Sequence, residues 1–102
     1  MKRLRSLLRG DGPPKAKPID LIYFIWDGDH VKIGTSVNPI PRLKSLQTGN
    51  PRKLEILATM IGGRDTEKSL HDQFSHLRVS GEWFRPDAAM WKMIEDLAVI
   101  GS

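Results

Sequence analysis

The chain has no cysteine in its 102 residues, which excludes disulfides and thiolate metal sites and fits a reducing cytoplasm. It also lacks any apolar run near the roughly 20 residues that a membrane helix needs. Leu4, Leu7 and Leu8 beside arginines resemble the start of a signal peptide. Arg9-Gly10-Asp11-Gly12 cuts that stretch well short of an apolar core. A soluble, cytoplasmic protein is expected, with no membrane partner. The length suits a single domain. The hydrophobic share of 39% is slightly low, which points to a polar segment outside the core.

Charge locates that segment. Residues 1–17 hold Lys2, Arg3, Arg5, Arg9, Lys15 and Lys17 against Asp11 alone, a net of +5. The whole chain carries +4, so residues 18–102 carry −1, and the pI of about 9.7 belongs to the N-terminal stretch. Gly10-Asp11-Gly12-Pro13-Pro14 and Pro18 interrupt any helix begun at Leu4 and mark a linker. Residues 1–18 are therefore expected to be a disordered basic arm, with the domain spanning 19–102. Such an arm is either a solvated terminus or a polyanion contact, since each phosphate contact releases condensed counterions.

Leu21 to Trp26 and Val31 to Thr35 are β-branched and aromatic runs. Asp27-Gly28 between them is the signal for a tight hairpin. Asn38-Pro39 suits a helix start, with the Asn side chain as cap, and Ile40, Leu43 and Leu46 recur at helical spacing until Thr48-Gly49-Asn50-Pro51. Leu54 to Ile61 reads as a third, buried strand. Asp65 or Thr66 is expected to cap a helix that buries Leu70 and Phe74. After Pro86 a last helix carries Met90, Met93, Ile94 and Leu97 at core spacing. The expected fold is α/β, more narrowly α+β: a three-stranded antiparallel sheet flanked by helices.

Several polar residues are not needed by such a core. Tyr23 and Lys32 lie in the two hairpin strands, Arg42 in the first helix, and Glu67 and His71 four apart on one face of the second. Glu82 follows Ser80-Gly81. These are the types that phosphodiester cleavage requires: a carboxylate for a hard divalent cation, a base worth about 10² to 10⁴ in rate, and cations for the phosphate oxygens. Composition alone leaves ordinary alternatives open. A strand tyrosine packs, Lys32 is solvated, a first-turn glutamate suits the helix dipole, and His71 packs with Phe74 and Trp83.

The spacing is more specific. Leu21-Ile22-Tyr23, Lys32-Ile33-Gly34, Arg42, Glu67-Lys68-Ser69-Leu70-His71 with Phe74, and Gly81-Glu82-Trp83-Phe84 follow in order. Together they resemble the GIY-YIG nuclease superfamily, in its phage and bacterial branch with Lys-Ile-Gly as second triplet. The resemblance covers roughly residues 20–85. It implies an endonuclease using one Mg²⁺ or Mn²⁺ on the DNA phosphate backbone, with Glu67 as the metal ligand and Tyr23 as base or water-orienting group. It further implies Lys32 at the active site, Arg42 on the scissile phosphate, and Gly34 as a tight turn beside it. His71 is assigned to the catalytic group, and Lys44 and Glu82 to substrate contact. Leu21 departs from the family's glycine, the late active-site asparagine is missing with Glu82 near its place, and lysine replaces tyrosine at 32. Lys32 can clamp phosphate or lower the pKa of a nearby tyrosine or water. Trp26, Trp83, Phe84 and Trp91 are expected in the core, and His30 and His76 at the surface. Specificity is expected from a partner protein, a homodimer or the basic arm. Two other classes stay open: a DNA-binding module of the same fold without chemistry, and a protein-interaction domain.

Overall fold

A computed structural model describes residues 18–101. Almost all of the expected basic arm lies outside the described residues. The order is β1 (Leu21–Trp26), β2 (Val31–Ser36), α1 (Pro39–Thr48), β3 (Glu55–Ile61), α2 (Arg64–Gln73), a 3₁₀ turn (Ser75–Leu77), β4 (Arg78–Ser80), β5 (Trp83–Phe84) and α3 (Ala88–Gly101). Among the described residues no helix is long and apolar enough to cross a membrane.

The α+β class is as expected, but among the described residues the sheet has five strands, not three, in the order β3-β1-β2-β5-β4. The extra pair, β4 and β5, is only three and two residues long. Too short to show an alternating pattern, it is made by Gly81, whose φ of +54° closes the turn at little cost. The four ladders are antiparallel.

Strand alternation divides the core between two faces. Ile22, Phe24, Val31, Ile33, Ala58 and Phe84 point one way and pack with Leu70 and Phe74 near α2, and Met90 and Ile94 of α3. Each fully buried side chain of this size stabilises by about 1.5–3 kcal/mol. Tyr23, Ile25 and Leu54 point the other way, under Leu43 and Leu46 of α1. The sheet is thus covered by α2 and α3 on one side and α1 on the other. Trp26 and Trp91 meet edge to face, 5.1 Å between ring centroids, beside the larger cluster.

The hairpin turn forms where Asp27-Gly28 predicts it. Asp27 Oδ1 accepts the amides of Asp29 at 2.8 Å and His30 at 2.6 Å, and Arg52 reaches across to Asp27 and Asp29. Three local expectations are corrected. Asn38 makes no side-chain cap; its amide donates to Ser36 Oγ instead. α2 starts at Arg64 after an extended Gly63, one residue ahead of Asp65. β3 is an edge strand with Ile61 74% exposed, not a buried one, because no strand covers its outer side.

Candidate active site

β5 pairs with only Val31 and Lys32, while β2 runs on to Ser36. Beyond Lys32, the backbone of Ile33 turns its polar groups to an edge where no strand follows. Both groups are satisfied there by residues the sequence marks. The Ile33 amide donates to the Glu82 carbonyl at 3.0 Å. Its own carbonyl lies 2.8 Å from His71 Nε2. A carbonyl oxygen only accepts, so His71 donates from Nε2, and in the neutral ring the free lone pair sits on Nδ1.

α2 brings Glu67 and His71 to this notch. The helix opens at Gly63, whose carbonyl accepts the Glu67 amide at 2.9 Å. Asp65 and Glu67 place negative charge in its first turn, where the helix dipole favours it. Leu70 anchors the helix in the core, which turns Glu67 and His71, four apart, along one shoulder. One ligand atom each from Glu67, His71 and Glu82 lies within 4.8 Å of the others, and all three residues are half-buried. Lys32 Nζ is 3.0 Å from Glu82 Oε1 and 5.5 Å from the centre of the Trp83 ring. His71 meets Phe84 edge to face, 5.1 Å between ring centroids.

Tyr23 stands opposite Gly34 across the β1–β2 ladder and is 1% exposed. A Cβ placed at residue 34 would fall 2.5 Å from the Tyr23 Cζ and 2.9 Å from its Cε1, with the hydroxyl closer still. Gly34 therefore lies mid-strand, not in a tight turn, and its bare Cα makes room for the tyrosine ring. Arg42 and Lys44 are exposed on α1, the helix on the Tyr23 side of the sheet. Neither side chain has a hydrogen-bonding or ionic partner among the described residues. Lys32, Glu67, His71 and Glu82 thus come together, and Tyr23 stands opposite Gly34, two residues beyond Lys32 in β2.

A second ionic group went unread in the sequence. Burial works to raise the Asp27 pKa, but the amides of Asp29 and His30 and the His30 ring outweigh it and hold the carboxyl below its usual value. His30 is accordingly half-buried against Asp27 at 3.3 Å, not a free surface residue. The Arg52 guanidinium is raised by Asp29 and, less strongly, by Asp27. This cluster closes the hairpin turn at the far end of β2 from Ser36.

Against known families, the model of the T5orf172 domain matches residues 20–98. The chain belongs to the T5orf172 domain family. T5orf172 is a domain of phage and bacterial nuclease-like proteins. The T5orf172 match takes in all five strands and every residue of the notch, from Tyr23 to Glu82. It points to nuclease or DNA-binding work and fixes no specific activity. No curated protein and no solved structure matches the chain.

Proposed function

We propose that this domain is a GIY-YIG-type endonuclease that hydrolyses DNA phosphodiester bonds with one divalent cation, Mg²⁺ or Mn²⁺. The observation that carries the reading is the gathering of Glu67, His71 and Glu82 within 4.8 Å beside Lys32. Carboxylate and imidazole donors at that spacing fit a divalent ion. Such an ion, when bound, supplies Lewis acidity toward a phosphoryl oxygen.

The chain's own groups account for the rest. Tyr23, fixed by the core around its ring, presents one hydroxyl to orient or deprotonate the attacking water. Lys32 and Arg42 meet the charge on the phosphate, the arginine through its planar fork. Lys44 extends that contact along the backbone. The exposure of Arg42 and Lys44 suits groups that must reach a polymer lying outside the fold.

The test is cleavage of supercoiled plasmid with Mn²⁺, Mg²⁺ or EDTA, beside Glu67→Ala. The expected result is metal-dependent relaxation that the variant loses. A Glu67→Ala protein that cuts like the wild type overturns the one-metal mechanism. No cleavage with any ion, with DNA still retarded on a gel, favours a second reading: a binding module in which the Lys32–Glu82 pair takes the place of a metal.

A further inference from the structure

We infer that the divalent ion is held by three side chains, Glu67, His71 through Nδ1, and Glu82, and that the site takes Mn²⁺ in preference to Mg²⁺. The inference shares its metal with the nuclease reading, but its test reads the metal directly and stands apart from cleavage.

The first support is the orientation of His71. Its Nε2 proton is committed to the Ile33 carbonyl at 2.8 Å, which leaves Nδ1 as the only nitrogen with a lone pair. A ring fixed through one nitrogen by a backbone carbonyl and free at the other is the usual state of a metal-binding histidine. The second support is that the same β2 residue fixes Glu82, by the 3.0 Å bond from the Ile33 amide to the Glu82 carbonyl. One strand residue thereby ties the His71 ring to the Glu82 backbone, and α2 adds Glu67, one helical turn before His71.

Distance agrees with this. Three ligands about 2.1 Å from a shared ion lie about 3.0–3.6 Å apart. The donors, within 4.8 Å of one another with one His71 nitrogen among them, close to that spacing by rotation of the two carboxylate side chains. Mg²⁺ prefers an all-oxygen shell, whereas an imidazole nitrogen suits first-row transition ions better. Lys32 is the built-in counter-cation of the group, 3.0 Å from Glu82, and its positive charge opposes a second cation. Lys32→Met should therefore tighten Mn²⁺ binding.

The experiment uses the full chain loaded with Mn²⁺. Pulsed electron paramagnetic resonance looks for ¹⁴N coupling, and calorimetry gives the affinities for Mn²⁺ and Mg²⁺. Wild type should show imidazole nitrogen on the ion, and His71→Gln should lose it. Circular dichroism confirms that each variant is folded. His71→Gln and Glu82→Gln should each weaken Mn²⁺ by no less than the about 10- to 100-fold typical of losing a ligand's hydrogen-bond partner. Mn²⁺ bound without nitrogen coupling, a folded His71→Gln protein that binds it undiminished, or no Mn²⁺ binding at all overturns the inference. Metal-dependent nicking without nitrogen coupling sinks this inference and leaves the nuclease standing. Nitrogen coupling without nicking does the reverse.

Discussion

Tyr23 and Gly34 are readable as strand residues from the sequence, but their dependence on each other is not. The reason is that they face each other across a ladder, and a sequence does not state register. Gly34→Ala would drive a methyl into the Tyr23 ring, so the variant should lose about 1–3 kcal/mol in denaturant unfolding, as overpacking typically does. Tyr23→Phe keeps the ring and removes only the hydroxyl. It should leave stability nearly unchanged and lower plasmid cleavage by about 10² to 10⁴ if the tyrosine serves as base. Asp27 gives a pH effect of definite sign. Its folded pKa is depressed, so its stabilisation is present above the unfolded value of about 3.9 and is lost as pH falls through the folded pKa. Asp27→Asn should cost stability at neutral pH and flatten the acid limb below about pH 4 in thermal melts.

At the scale of elements, the hairpin and the three helices are legible because each is long enough to show its period. Caps are less legible, since Asn38 and Thr66 have the chemistry of caps and neither side chain caps a helix here. Thr66 packs where a side chain at Gly62 would otherwise sit. The β4–β5 pair is invisible to pattern reading, and so the position of Glu82 beside Lys32 is too. Gln47 is a similar case. From α1 its Nε2 donates to the carbonyls of Asn50 and Arg52, at 3.1 and 2.7 Å, while its Oε1 accepts the Leu54 amide at 2.8 Å. This one side chain ties the α1–β3 connection to the helix, yet glutamine carries no turn signal. Gln47→Ala should cost about 1–3 kcal/mol in unfolding, because a net hydrogen bond contributes about 0.5–1.5 kcal/mol and the buried Leu54 would keep an unpaired amide.

Over the whole molecule, charge and site are divided between parts of the chain. Residues 18–102 sum to −1 and residues 1–17 to +5, so affinity for a polyanion should rest heavily on the first seventeen. Removing them should weaken DNA binding and flatten its salt dependence, by up to about 5 in the slope of log K against log salt if all six basic residues contact phosphate. An unchanged slope would exclude a role for that stretch. The candidate site was legible as a set of residue types in order; its assembly was not, because it draws on residues 32–33, 67–71 and 82, which meet through the backbone of Ile33 and the Lys32–Glu82 ion pair.

That junction has a kinetic consequence. Ile33 lies in a central strand and its side chain is wholly buried, a place where an amide ordinarily exchanges with solvent only when the protein unfolds globally. Its partner, however, is the carbonyl of Glu82, beside a strand of two residues at an exposed turn. Short surface hairpins open far more often than a core does. The Ile33 amide should therefore exchange deuterium at the rate of a surface hairpin, ahead of its neighbour Phe24 across the ladder. Anything that clamps Glu82 to α2 should slow that one amide without touching the rest of the strand.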